Sequence, residues 1–207
     1  MTEKTPLLTV VRNREQMLFP EFHETVVLGE GRATQYAPSH HVQTGLINEE
    51  LIHALQKEGK TLLSVGAGLG YLERFLVRTY RIPYAQIMLV NNTPFLPRGF
   101  PQHYFDMSKP WPALGKQFDY ILFPESLYLE DSESPTPDKD EVQTNLKTLL
   151  ERALPFAAEQ GQIRMTGTYL FYLHDTKTVT EHLQLTYPHI HLSSEGRLFV
   201  AEKNRKK

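Results

Sequence analysis

Apolar residues gather into short continuous runs, and these runs alternate with stretches of helical spacing. Continuous apolar runs cover residues 61–65, 86–90 and 118–123, and shorter strand-like patterns cover residues 103–105 and 162–166. Parallel strands that are buried on both faces show such unbroken runs, whereas half-exposed strands alternate apolar with polar residues. The pattern therefore predicts a mostly parallel sheet buried between helices.

Helices are predicted between several of these strands from apolar residues spaced three or four positions apart. The first helix begins after Asn48, a typical N-cap residue, and stops before Gly59. A second helix covers residues 69–80, with Glu73 on the polar side opposite its apolar face. Two later helices bury the remaining apolar stripes, which are Val142, Leu146, Leu149, Leu150 and Ala153 in one and Val179 and Leu183 in the other.

The chain ends in a hairpin pattern. Strand-like residues 190–192 and 197–201 flank the Ser-Ser-Glu-Gly segment at residues 193–196. We expect this hairpin to add an antiparallel strand at the edge of the sheet. The complete order of elements predicts an α/β fold: a doubly wound, mostly parallel seven-stranded sheet with helices on both faces and an antiparallel terminal hairpin strand.

Length and composition limit the class of protein. The 207 residues suit one domain, which we place at residues 46–203, after an N-terminal extension or lid at 1–45 and before a basic tail at 204–207. The formal net charge of -2 makes a nucleic-acid partner unexpected. The absence of cysteine excludes disulfides and thiolate sites. Without a secretory leader or a membrane-length apolar run, a cytoplasmic protein with no membrane partner is expected.

A glycine-rich loop, Gly66-Ala67-Gly68-Leu69-Gly70, joins the first strand to the helix that follows it. In open α/β sheets ligands bind at the carboxyl ends of the strands, and glycines let the backbone approach them closely. The loop therefore predicts a nucleotide-cofactor site. A purely structural turn that brings the helix close to the sheet remains the alternative.

The spacing of these glycines separates two cofactor classes. The dinucleotide fingerprint is G-x-G-x-x-G, whereas this chain has G-x-G-x-G with Tyr71 in the last place. Residues 63–70, LSVGAGLG, together with the preceding helix and the strand at 118–123, resemble motif I of class I S-adenosylmethionine (SAM)-dependent methyltransferases. The resemblance extends in element order over about residues 45–203. It implies SAM as cofactor and methyl transfer to an unidentified acceptor, for which the near-neutral charge favours a small molecule.

The resemblance also implies roles for single residues. In the glycine loop, Gly66, Ala67, Gly68 and Gly70 would bind the cofactor, with the first three passing beneath its methionine and ribose parts. Asn91, at the end of the second strand, would bind the ribose hydroxyls, although a turn residue is an equal alternative.

Further along the chain, Asp106 would accept from the adenine amino group and Met107 would contact the ring. Asp106 alone is equally compatible with a strand-end cap. Phe123 would also line the cofactor site. Glu125 and Tyr128 are the candidate catalytic residues, for removing a proton or steering the substrate, and a solvated loop carboxylate is the alternative for Glu125.

Two positions depart from the family pattern. Ser64 and Asn91 stand where the family normally has acidic residues, and a neutral amide loses a charge-assisted hydrogen bond. These residues favour an alternative function, a catalytically decayed methyltransferase-fold binding protein without SAM turnover. An NAD(P)-dependent oxidoreductase is a third possibility, against which Tyr71 argues.

The nine histidines do not form a metal-binding motif. His189 and His191 share a strand face, but neither H-x-x-x-H nor H-E-x-x-H occurs, so no metal is expected. The pair His40-His41 is a candidate for a lid over the cofactor, and a surface position is the alternative. A serine hydrolase and a P-loop enzyme are disfavoured, because the chain has neither G-x-S-x-G nor a Gly-Lys-Ser/Thr sequence after the glycines.

Overall fold

The computed structural model describes residues 6–18, 25–28, 33–92, 97–107, 109–124, 139–167 and 176–204. Glu125 and Tyr128 lie outside these residues, as do residues 205–207 of the basic tail. None of the helices in the described segments combines the length and apolar character needed to cross a bilayer.

Strands and helices alternate through most of the described chain. The strands are β1 (Thr25–Leu28), β2 (Ala33–Tyr36), β3 (Leu62–Val65), β4 (Ile87–Asn91), β5 (Gln102–Tyr104), β6 (Phe118–Phe123), β7 (Ala157–Thr166), β8 (Ile190–Glu195) and β9 (Leu198–Lys203). The helices are α1 (Leu7–Leu18), α2 (Pro38–Gln43), α3 (Glu49–Lys57), α4 (Tyr71–Tyr80), α5 (Lys139–Ala153) and α6 (Thr176–Thr186).

Seven strands form one sheet in the order β5-β4-β3-β6-β7-β9-β8, while β1 and β2 pair separately. The pairs along β5-β4-β3-β6-β7 are parallel, and β9 runs antiparallel to both of its neighbours. The predicted doubly wound, seven-stranded sheet with an antiparallel strand in its terminal hairpin is confirmed. Because β3 lies between β4 and β6, the chain reverses its winding direction next to the glycine loop, where such folds place their ligands.

The terminal hairpin differs from the prediction in two respects. Its antiparallel strand β9 lies inside the sheet, between β7 and β8, and β8 forms the edge. The connection is also shorter than residues 193–196, because Ser193, Ser194 and Glu195 pair with β9 and leave Gly196 and Arg197 as the turn. Pairing of β9 with the ten-residue strand β7 saturates backbone groups that an edge position would expose to solvent.

The sheet is covered on both faces. Side chains of α5 and α6 pack with Leu63 and Val65 of β3, and side chains of α3 and α4 pack with Leu62. Successive side chains of a strand point to opposite faces, so Ser64 shares the α3 and α4 face with Leu62. On the far side of α4, the buried ring of Phe75 packs against Val11 of α1.

The predicted boundaries of α3 are confirmed. Asn48 is its N-cap and accepts a hydrogen bond from the backbone N–H of Leu51 at 2.9 Å. Gly59 follows the helix with φ of +68°, a left-handed conformation that favours glycine. This helix precedes β3 and packs on the same face of the sheet as α4.

Candidate functional site

The glycine loop has the backbone conformation that only glycine adopts at low cost. Gly66, Gly68 and Gly70 have φ values of +75°, +55° and +65°. The N–H groups of Gly66 and Ala67 both donate to the carbonyl of Val90 at the end of β4, at 2.8 and 3.2 Å. These two donors therefore fix the loop to the neighbouring strand and are not available to a ligand.

The rest of the loop divides into a packed part and an open part. The Gly70 N–H donates to the Ala67 carbonyl at 2.8 Å, and a Cβ on Gly70 would lie 2.6 Å from a carbon of Pro97. Within the described segments, the N–H groups of Gly68 and Leu69 have no hydrogen-bond acceptor. Both residues are partly exposed and precede the first turn of α4, so these two N–H groups are free to bind an anionic ligand group.

Asn91 lies beside the loop, at the end of β4. Its Nδ2 donates to the carbonyl of Gly68 at 3.2 Å, and its Oδ1 accepts from the N–H of Asn92 at 3.0 Å. An ionised aspartate has no donor, so it could not make the hydrogen bond to the Gly68 carbonyl that the Asn91 amide makes. The structure thus brings Asn91 to the loop and gives it a role in loop geometry that the sequence did not reveal. Its binding to a ribose stays a prediction.

Asp106 and Met107 follow β5 at the same edge of the sheet and are partly buried. The carbonyl of Met107 accepts from Trp111 Nε1 and from Arg152 Nη1, each at 3.1 Å. The Asp106 carbonyl accepts from the N–H of Lys109, also at 3.1 Å. This segment is therefore held in place by side chains of the loop and of α5, although contact with an adenine ring remains a prediction.

Phe123 ends β6 on the other side of β3. Its side chain is fully buried and lies 6.1 Å from the Trp111 ring, measured between centroids. The ring belongs to the core cluster that contains side chains of α5 and α6, and its contact with a cofactor stays a prediction. Glu125 and Tyr128 are outside the described residues, and their catalytic roles stay predictions.

The prediction that Glu73 lies on the polar side of its helix is wrong. Its side chain is 1% exposed and accepts a hydrogen bond from Ser64 Oγ at 2.5 Å, and Ser64 is fully buried. Burial raises the pKa of Glu73 to about 7, while the Ser64 hydrogen bond and nearby Arg74 lower it. A serine in the middle of an apolar strand was the available signal, because a buried hydroxyl needs a partner.

A second feature of the carboxyl edge is an open pocket of about 610 Å³ between α2 and the terminal hairpin. Because β8 is parallel to β3, the turn after β8 lies at the same edge as the glycine loop. The pocket is lined by His40, Val42, Gln43, Thr44, Gly45, Glu195, Gly196, Arg197 and Leu198.

The two adjacent histidines of α2 differ in environment. His40 lines the pocket and stacks on Tyr36, with ring centroids 4.4 Å apart. His41 is 3% exposed, and burial, with a smaller effect of His40, lowers its pKa to about 3. His41 is therefore a neutral core residue at pH 7, whereas His40 lines the pocket described above. Within the described segments, no three His, Asp or Glu side chains are grouped as a metal site.

No protein-family model matches the chain, and no curated protein sequence matches it. Solved structures do match. DesVI of Streptomyces venezuelae is 11% identical with a TM-score of 0.52, over 75% of this chain and 88% of that one. SAM-bound CalS10, an amino pentose methyltransferase of calicheamicin biosynthesis from Micromonospora echinaspora, is 11% identical with a TM-score of 0.51, over 88% of this chain and all of that one.

The MycE methyltransferase of the mycinamycin pathway, solved with Mg and S-adenosylhomocysteine (SAH), is 12% identical with a TM-score of 0.53. The match covers 98% of this chain and 56% of MycE. At such identities the similarity shows the fold, and the strand order agrees with it. The chain therefore has the fold of the class I SAM-dependent methyltransferases.

Proposed function

We propose that the protein is a SAM-dependent methyltransferase that acts on a small-molecule acceptor. The observation that carries this proposal is the glycine loop, which leaves the Gly68 and Leu69 N–H groups unpaired within the described residues. The loop lies where the winding of the sheet reverses. In the same fold, CalS10 binds SAM and MycE binds SAH.

The described residues suit the chemical groups of SAM. The Gly68 and Leu69 N–H groups, with the positive end of α4 behind them, suit the carboxylate of the amino-acid part. Asn91 would bind the ribose, and Asp106 and Met107 the adenine. The sulfonium of SAM supplies the methyl group, and the protein contributes mainly binding and orientation, which need little acid–base machinery.

The pocket beside His40 is the proposed acceptor site. Its volume of about 610 Å³ suits a small molecule, and CalS10 acts on an amino pentose. We assign proton removal or acceptor steering to Glu125 and Tyr128. Since α2 supplies one wall of this pocket, we also propose that residues 1–45 shape acceptor entry.

A binding protein without turnover is the second candidate. The observation in its favour is Asn91, whose amide nitrogen and oxygen already engage Gly68 and Asn92. Such a side chain provides less for a ribose than a free carboxylate does.

The first experiment measures the thermal shift of the protein with SAM and with SAH. A ligand at a hundred times its Kd stabilises the folded state by about 2.7 kcal/mol, which is a shift of several degrees for this size. We expect a shift with both ligands that Gly68→Ala abolishes. Gly115→Ala is the matched control, because Gly115 also has a left-handed φ, of +74°, and nothing lies within 4 Å of an added Cβ. No shift at millimolar ligand refutes the proposed cofactor.

The second experiment separates the two candidate functions. The protein is incubated with SAM that carries a labelled methyl group and with a panel of small amino-sugar and hydroxylated acceptors. A labelled product whose yield falls in Glu125→Gln supports the enzyme and the role of that residue. Binding of SAH with no labelled product on any acceptor supports the binding protein.

A further inference from the structure

Ser64 and Glu73 form a buried pair that joins the two ends of the glycine loop. Ser64 is the next-to-last residue of β3, before the loop, and Glu73 is in the first turn of α4, after it. The two side chains are 0% and 1% exposed, and their oxygens are 2.5 Å apart. One hydrogen bond therefore connects the strand and the helix between which the loop is suspended.

The second carboxylate oxygen of Glu73, Oε2, lies in the interior next to the glycine loop. Glu73 Oε2 is buried and has no hydrogen-bond partner among the residues that the structure describes. It lies 3.6 Å from the position that a Cβ on Gly70 would take, which places it directly against the loop. Buried polar atoms are normally paired, and an unpaired one next to a candidate ligand site points to a role in that site.

We propose that Glu73 is a positioning residue for the glycine loop, and that its ionised form strengthens the binding of a ligand with a cationic amino group. This inference rests on the proposed function, because the amino-acid part of SAM and SAH carries such a group. Because the Glu73 side chain is 1% exposed, we assign it no direct contact with the ligand. It acts through Ser64 and through its contact with Gly70.

The charges around Glu73 make this coupling possible at neutral pH. Burial raises the pKa of Glu73 to about 7, and the hydrogen bond from Ser64, the Glu73 backbone N–H and Arg74 lower it in decreasing order. The charged groups on the helices packed against α4 affect the pKa of Tyr80, at the other end of α4: Glu49 of α3 raises it and Arg14 of α1 lowers it. A cationic group on the loop lowers the pKa of Glu73 further, so ligand binding and Glu73 ionisation favour each other.

The test is the affinity for SAH between pH 6 and 8, measured by calorimetry on the full chain. A group with a pKa of 7 is about one-tenth ionised at pH 6 and about nine-tenths ionised at pH 8. Relative to Glu73→Gln, we expect the affinity of the unaltered protein to rise about tenfold over this range. Glu159→Gln, at an exposed position on β7, is the control and should follow the unaltered protein.

Two further measurements separate positioning from simple packing. 5′-Methylthioadenosine has the nucleoside but no amino-acid part, so its affinity should not depend on Glu73 ionisation. The double variant Ser64→Glu/Glu73→Ser exchanges a long and a short side chain and keeps their combined reach, and it should restore the pH dependence that Glu73→Gln removes. Identical SAH profiles for the unaltered protein and Glu73→Gln overturn the inference alone. Failure of the unaltered protein to bind SAH at any pH overturns the proposed function instead.

Discussion

Stability of the ligand-free protein should depend on pH through Glu73, and Glu73→Gln isolates the effect. The folded-state pKa is about 7, whereas the ordinary value is 4.5. Between these values the unfolded chain ionises while the folded protein keeps its proton, so stability falls as pH rises from about 4.5 to about 7. At 1.36 kcal/mol per pKa unit, the loss is about 3 kcal/mol over the whole interval and about 2 kcal/mol between pH 5.5 and 8.

The measurement is the free energy of unfolding in urea at several pH values for both proteins. A difference between the two proteins is needed because His41 acts in the opposite direction. Burial lowers the pKa of His41 from 6.5 to about 3, so its contribution to stability is lost as pH falls below 6.5. Between its unfolded and folded pKa values, each group changes the free energy of unfolding by about 1.4 kcal/mol per pH unit. The two changes have opposite signs and therefore nearly cancel between pH 4.5 and 6.5.

Glutamine keeps the shape of Glu73 and an acceptor for the Ser64 hydroxyl but does not titrate. We therefore expect Glu73→Gln to gain about 2 kcal/mol relative to the unaltered protein between pH 5.5 and 8. Glu159→Gln, where the side chain is exposed, should show no such gain. A constant difference between Glu73→Gln and the unaltered protein would refute a raised pKa for Glu73, and with it the electrostatic part of the positioning role.

Three further substitutions test single contacts. Asn91→Asp removes the donor to the Gly68 carbonyl and should lower the free energy of unfolding by about 1 kcal/mol; equal urea midpoints and slopes would contradict this. His41→Gln should remove the loss of stability below pH 6.5, so that its Tm rises from pH 7 to 5.5 while the Tm of the unaltered protein stays nearly constant, and identical Tm profiles for the two proteins would show that His41 is not held neutral. Tyr187→Phe removes the 2.6 Å hydrogen bond to Glu151. Because the Glu151 side chain is half exposed, the free energy of unfolding in urea should fall by only about 1 kcal/mol. An unchanged free energy of unfolding would show that water replaces this hydrogen bond at no cost.

Much of the fold could be predicted because most strands of the seven-stranded sheet carry a local signal. The run at 118–123 coincides with β6, since every residue but one in it is buried between two helical layers. β7 is different: residues 162–166 were predicted, but the strand begins at Ala157. Its first half carries a shift in register against β6, with Gln160 at φ of +62°. Pairing with a neighbouring strand, which no local pattern encodes, decided that half.

The candidate site divides in the same way. The position of the glycine loop followed from its sequence, because three left-handed residues in five require glycine. The pairing of Ser64 with Glu73 did not follow, because helical spacing alone places Glu73 beside Arg74 on a polar face. The side chain of Glu73 instead points to the sheet, where the hydroxyl of Ser64 meets it.

Within residues 46–203, the sequence by itself determined where most strands and helices lie and where the loop between β3 and α4 lies, and it supplied the residues that we propose for the cofactor. Only the tertiary structure decided the strand order, the place of β9 inside the sheet, and the partners of Asn91 and Glu73. The physical reason is the distance along the chain over which each interaction acts. Backbone preference and burial periodicity act over a few neighbouring residues, whereas the bond from Asn91 to Gly68 spans 23 positions and exists only once two strands lie side by side.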